Sequence, residues 1–162
     1  MSATGTGMML AGMALSYAGS QAAAEAQEVA GRWNKKVAER NASLLRTAAE
    51  DLLFESKLDI LNFQTQYRKF EKETESAIMK SGFDAYSGTG LEILLANADQ
   101  ADEEIRRIDY ASRARARDIR EQATGVSLKG DIAMFEAKAS ANATRTEAMA
   151  TLLSQGSKMV DA

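Results

Sequence analysis

The fold is decided by residues 81–90, which read Ser-Gly-Phe-Asp-Ala-Tyr-Ser-Gly-Thr-Gly. Three glycines together with Ser, Asp and Thr are typical of a turn that ends one helix and begins another. Either Ser87 or Thr89 is suited to cap the second helix, and Glu92 completes a capping-box pattern with Thr89. We therefore predict a Gly-rich turn over 82–90. Its glycines are Gly82, Gly88 and Gly90.

Helix-favouring sequence extends away from this turn in both directions. The chain contains no proline, and nothing in the segment 21–81 is expected to break a helix. That segment would be about 90 Å long at about 1.5 Å per residue. A second helix is predicted over 91–162, with a bend or break at 125–130, because each glycine there costs about 1 kcal/mol relative to alanine. Two long helices joined by a short turn form an antiparallel pair, so we predict an all-α helical hairpin.

Apolar residues recur along both helices at steps of three and four, which aligns them on one stripe that faces another helix. Each stripe is thin, and much alanine-rich surface is left outside. We therefore expect the hairpins to associate laterally into an oligomeric helical ring or tube. After a slip near Gly125 and Gly130, the pattern continues from Leu128 to Leu153. The predicted helix-helix interface residues are Ile60, Phe63, Tyr67, Phe70, Ile105, Ile108, Ile119, Ile132 and Phe135.

The 162 residues include no cysteine and no histidine. Thiol nucleophiles, imidazole bases and disulfides are therefore excluded, and no nucleophile, base and orienting residue can be nominated together. A group of carboxylates at 99–104 is interpreted as favourable negative charge near a helix start and not as a metal site. We predict a protein that is not an enzyme, without catalytic, cofactor-binding or metal-binding residues.

The net charge of −3, from 20 basic and 23 acidic residues, gives no long-range field that would attract nucleic acid. DNA contact through a group of arginines is an alternative hypothesis, but a solvated helix surface is favoured. Glu103 precedes Arg107 by four residues and Asp109 precedes Arg113 by four, a spacing that stabilises a solvated helix. Alternation of Arg and Ala also spreads the charge. The group comprises Arg106, Arg107, Arg113, Arg115, Arg117 and Arg120.

Residues 1–24 carry no charge. The segment 1–20 is rich in Gly, Ala and Met, and its apolar part is too diluted by glycine for a secretion signal or a single-span anchor. Gly12, Ser16 and Ser20 follow a four-residue spacing that permits close helix approach in lipid. Two readings stay open: insertion into a membrane after assembly, or packing against a partner. The contact residues in either case are Met8, Met9, Leu10, Gly12, Met13, Leu15, Ser16 and Tyr17.

Several stretches in a fixed order carry a likeness to a known family. They are the uncharged start, a long charged helix with Arg46 and Glu50, Lys-Ser-Gly-Phe-Asp at 80–84, Ser-Gly-Thr-Gly-Leu-Glu-Ile-Leu at 87–94, and Phe-Glu-Ala-Lys-Ala at 135–139. This layout resembles the small internal virion proteins, also called ejection or DNA-transfer proteins, of short-tailed bacteriophages.

The resemblance implies a protein that is packaged inside the virion near the portal. On infection it would leave the particle for the host cell envelope and help to form a conduit for the genome. Its expected partners are copies of itself, other phage internal or portal proteins and, through its first residues, the host membrane. The family supplies no catalytic residues. Two alternatives are a scaffold or head-tail connector component that stays in the virion, and a helical nucleic-acid-binding protein.

Overall fold

The computed structural model describes the backbone of residues 3–160 and the side chains of residue 12 and residues 14–154. Two helices, α1 (Ala3–Lys80) and α2 (Gly88–Val160), pack as a hairpin. The predicted all-α antiparallel hairpin is therefore confirmed.

Three boundaries differ from the prediction. Helix α1 already begins at Ala3, so the segment 1–20 is continuous with the long helix as far as the structure describes it. The turn is shorter, because α2 begins at Gly88 and includes Gly90. Of the bend or break predicted at 125–130, the break is wrong, since α2 is unbroken from Gly88 to Val160.

The chain divides into two compact units. Unit 1 consists of Met1–Ala42 and Thr124–Ala162, and unit 2 consists of Ser43–Ala123. Each unit contains a part of both helices.

Glycine and alanine form the contact between the helices in unit 1. A Cβ added to Gly130 would lie 2.6 Å from the Cβ of Ala38 and 3.3 Å from the Cα of Lys35. A Cβ added to Gly31 would collide with the Cβ of Ala137. Seven residues separate Gly31 from Ala38 and also Gly130 from Ala137, so both contacts belong to one antiparallel register. The other buried residues of this contact are Ala24, Ala42 and Ala141.

Two ion pairs at the margin of unit 1 agree with this register. The Nζ of Lys35 lies 2.8 Å from Oδ1 of Asp131, and this carboxylate raises the pKa of Lys35 through a hydrogen bond and its charge. An Nη1 of Arg145 lies 2.8 Å from Oε1 of Glu28. Partly exposed pairs of this kind contribute little to stability, so the alanine and glycine contact carries the packing.

Larger side chains supplement small ones in unit 2. Ala49, Ala116 and Ala123 are fully buried, and Ser56 and Ala101 nearly so. Beside them lie half-buried aromatic and aliphatic side chains, which include Ile60, Phe63, Tyr67, Ile105, Ile108 and Ile119. Among the described residues, no large side chain is completely buried.

The turn is held by hydrogen bonds at the end of α1. The Phe83 amide donates to the Ile78 carbonyl oxygen at 3.3 Å, and the Gly82 amide donates to the Met79 carbonyl oxygen at 3.1 Å. This is the Schellman arrangement, in which the residue after the helix is left-handed. Gly82 has a φ of 85°, which only glycine adopts without cost. The prediction of a glycine-stopped helix is confirmed here.

The start of α2 depends on Asp84. Its carboxylate accepts hydrogen bonds from the Tyr86 amide at 2.9 Å and the Ser87 hydroxyl at 2.7 Å. Because α2 begins at Gly88, Thr89 lies inside the helix, and the predicted capping box with Glu92 is wrong. Gly90 packs directly against the carbonyl oxygen of Asp84, where a Cβ would collide.

The Asp84 contacts predict a pH dependence of stability. The Tyr86 amide and the Ser87 hydroxyl both stabilise the charged form, so the pKa of Asp84 is lowered in the folded chain. The stabilisation is present above the ordinary aspartate pKa of about 3.9 and is lost as the pH falls through the lowered value. We expect Asp84→Asn to reduce Tm at neutral pH and to match the unchanged chain at acidic pH. Thermal melts from pH 7 to pH 2 measure this, with Asp118→Asn as the control of equal charge change. A Tm difference that persists at the acidic end would contradict the assignment.

Candidate interaction surfaces

The predicted helix-helix residues separate into two groups in the structure. Ile60, Phe63, Tyr67, Ile105, Ile108 and Ile119 are half-buried in unit 2. Phe70, Ile132 and Phe135 are exposed, and Phe135 retains 74% of its surface. Ile132 and Phe135 therefore lie outside the contact within the hairpin, whereas Phe70 borders a groove between the helices of unit 2.

A row of large apolar side chains follows the outer side of α2 in unit 1. Leu128, Ile132 and Phe135 keep the predicted three-and-four spacing, and Met149 and Leu153 continue the row after a gap of 14 residues. These residues alternate with the residues that contact α1, such as Gly130 and Ala141. The sequence predicts only that this row faces another helix, and in the structure the row lies on the side of α2 that is away from α1. Small residues face α1 instead, because they permit the close approach of the two helices. The outer row of α2 consists of Leu128, Ile132, Phe135, Met149 and Leu153, all exposed.

Helix α1 of unit 1 carries a shorter row of the same kind. Val29, Trp33 and Val37 follow a four-residue spacing and are exposed, Trp33 to 68%. These three residues are the outer row of α1. Unit 1 thus presents apolar surface on both helices, in addition to the surface used for the hairpin. Large exposed apolar patches commonly mark interaction sites, and these two rows are the candidates in unit 1.

A shallow groove lies between the helices of unit 2. Its lining includes Phe63, Tyr67 and Phe70, with Asn97 and Gln100 opposite, and the Tyr67 and Phe70 ring centroids are 6.4 Å apart. Burial raises the pKa of the Tyr67 hydroxyl, and the charges of Glu71 and Asp102 raise it further. The groove therefore favours the neutral phenol, and it combines an aromatic wall with amide groups.

Only part of the predicted N-terminal contact lies among the described side chains. Leu15 is 74% exposed, Gly12 has open space around it, and Ser16 is exposed. Tyr17 is half-buried, and its hydroxyl accepts a hydrogen bond from Gln21 Nε2 at 2.9 Å. The side chains of Met8, Met9, Leu10 and Met13 lie outside the described residues. Within the described part of the chain, no helix has a stretch sufficiently long and apolar to cross a membrane.

The six arginines from Arg106 to Arg120 are exposed and differ in their partners. Arg113 pairs with Asp109 at 2.9 Å, as the spacing predicts. Arg107 forms an ion pair with Glu104 at 2.8 Å, and the charge of Glu103, the predicted partner, contributes to raising the pKa of Arg107. The Glu104 carboxylate lies closer to the Arg107 guanidinium than the Glu103 carboxylate does. Among the described residues, no group of acidic side chains is arranged to hold a metal ion.

No protein-family model, curated protein or solved structure matches this chain. A functional proposal therefore depends on the residues themselves and on their placement in the hairpin.

Proposed function

We propose that this chain is an internal virion protein of a short-tailed bacteriophage. It is packaged near the portal and released on infection to help to form a conduit for genome delivery across the host envelope. The observation that carries the proposal is the outer row of α2, where Phe135 and Leu153 are about three-quarters exposed. A hairpin that uses alanine and glycine internally and large residues externally is suited to assembly. The resemblance of the sequence supplies the biological setting.

The proposed mechanism is mechanical and needs no catalytic residue, cofactor or metal. Hairpins lie side by side, and the outer row of α2 in one copy packs against the outer row of α1 in the next. Such a contact joins two different surfaces, so repetition generates a ring when the rotation closes and a tube or filament when it does not. The uncharged start of α1 then provides the contact with the membrane or with a portal protein.

The proposal is tested by comparing phage particles before and after triggered genome release. We expect the protein to be present in intact particles and depleted from emptied ones, as measured by quantitative mass spectrometry against the capsid protein. Full retention would favour the alternative, a virion scaffold or head-tail connector component. Absence from intact particles would contradict both.

The membrane contact has its own measurement. Dye release from liposomes is compared between the full chain and a chain that begins at Gln21, at matched helicity by circular dichroism. Release that requires residues 1–20 supports the envelope conduit. If neither chain releases dye although both form oligomers, membrane insertion is removed from the proposal and the internal scaffold is favoured.

A further inference from the structure

One exposed side of α2 in unit 2 carries an acidic block followed by a mainly basic block, with the exposed Glu121 also on this side at the far end of the basic block. Its residues follow one another at alternating steps of four and three, which confines them to an arc of about 100° at about 100° per residue. Tyr110 lies in the middle and is 75% exposed. All members of this charged stripe are exposed. They are Asp99, Glu103, Arg106, Tyr110, Arg113, Arg117 and Arg120.

Contacts within the chain leave much of this charge available. Arg113 is paired with Asp109, but both side chains are well exposed and the pair is easily exchanged. Among the described residues, the ion pairs include none of Asp99, Glu103, Arg106 and Arg117. The stripe therefore presents an acidic block followed by a basic block to any neighbour.

An antiparallel second copy of α2 complements this order. When a two-fold axis passes at the level of Ile108, Glu103 faces Arg113 of the other copy and Asp99 faces Arg117. Arg106 then lies over the ring of Tyr110, where a guanidinium and an aromatic face attract one another. Each of these contacts occurs twice, because a two-fold interface is self-complementary. A parallel arrangement would instead place arginine against arginine.

We infer that the chain pairs with a second copy of itself through this stripe, antiparallel and across a two-fold axis at the level of Ile108. The inference rests on the proposed self-assembly and names one of its contacts. A two-fold contact closes at two copies, so a ring also requires the outer rows of unit 1. The pairing is electrostatic and therefore weakens with salt. Release from the virion does not depend on it, and the two proposals fail separately.

Charge reversal on one block at a time tests the inference. Asp99→Arg with Glu103→Arg makes the stripe wholly basic, and Arg113→Glu with Arg117→Glu makes it predominantly acidic. We expect each double variant to weaken self-association at least tenfold, because like charges then face one another. An equimolar mixture should recover the association, since the basic stripe of one variant faces the acidic stripe of the other. Sedimentation velocity at low and high salt, with helicity checked by circular dichroism, measures both effects.

A matched control reverses two exposed charges elsewhere in unit 2, Glu55→Arg with Glu73→Arg, and should leave association unchanged. Loss in both stripe variants without recovery on mixing would overturn the inference. The inference would also be overturned if the protein without substitutions stayed monomeric at high micromolar concentration. Tighter association of the basic variant only when a DNA oligonucleotide is present would overturn it in favour of phosphate binding by the arginines.

The register has an independent measurement, because the chain contains no cysteine. A Glu103→Cys chain mixed with an Arg113→Cys chain should form a disulfide-linked heterodimer under mild oxidation. Two Glu103→Cys copies should link much more slowly, since ten residues of helix, about 15 Å, separate their sulfur atoms along the axis. Equal rates for the two combinations would contradict the proposed axis.

Discussion

Gly130→Leu is expected to lower Tm by about 6 to 12 °C. A Cβ at this position would lie 2.6 Å from the Cβ of Ala38 and 3.3 Å from the Cα of Lys35, and neither atom belongs to a flexible side-chain end. The helices must separate, which forfeits the packing of neighbouring alanines. Overpacking costs about 3 kcal/mol at the upper end of the common range. For a chain of this length each kcal/mol corresponds to about 2 to 4 °C.

The same substitution five residues earlier provides the control. Gly125 has no atom of the other helix within 4 Å, so Gly125→Leu adds no collision. It replaces a poor helix former by a good one and should raise stability by roughly 0.5 to 1 kcal/mol. Circular dichroism melts of the two variants should therefore shift in opposite directions. Equal shifts would show that the helices are not held at the close distance that the structure gives.

The contrast between Gly125 and Gly130 explains why the break predicted at 125–130 is wrong. Both residues predict a bend or break, because glycine lowers helix propensity wherever it occurs. Propensity describes one helix alone. The burial of Gly130 depends on Ala38 in a distant part of the chain, and no local pattern contains that information. The turn was predictable because its determinants, Gly82 and Asp84, act within a few residues.

The position of the large residues of α2 relative to α1 could not be predicted for a related reason. Two stripes with the same spacing follow α2, one of small residues through Gly130 and Ala137 and one of large residues through Ile132 and Phe135. Ranking by hydrophobicity selects the large residues. Close helix contact selects the small ones, so the larger stripe is left outside. In unit 2, Ile105 and Ile108 are both hydrophobic and half-buried, so ranking by hydrophobicity selects residues that the structure also buries.

The charged stripe was available from the sequence. Alternation of Arg and Ala over 113–117 suggested a charge spread around the helix. At about 100° per residue, however, Arg106, Arg113 and Arg117 share one side, and only Arg115 among the arginines of 113–117 lies elsewhere. The structure adds the exposure of Tyr110 and the absence of charged partners for Arg106 and Arg117 among the described residues. Position on the helix, and not composition, defines this surface.

Substitution of the outer row of α2 is expected to have the largest effect on assembly. In Phe135→Asp with Met149→Asp, two large apolar side chains are replaced by carboxylates. Burial of each apolar side chain contributes about 1.5 to 3 kcal/mol. An unpaired carboxylate buried at the contact adds a further penalty. We expect self-association to weaken at least a hundredfold, at about 1.4 kcal/mol for each factor of ten, with the hairpin intact because both positions are exposed.

The control places the same charges elsewhere on α2. Ser140→Asp with Thr151→Asp changes two exposed positions on another side of α2, away from the outer row. Sedimentation velocity of both variants, at equal helicity by circular dichroism, separates the removal of the row from the addition of negative charge. Assembly lost only in the first variant identifies the outer row as the contact between copies. Assembly retained in both variants would show that the outer row of α2 is not the contact between copies, and the charged stripe would then be the candidate. Assembly lost in both variants would show that negative charge anywhere on this part of α2 disrupts the contact.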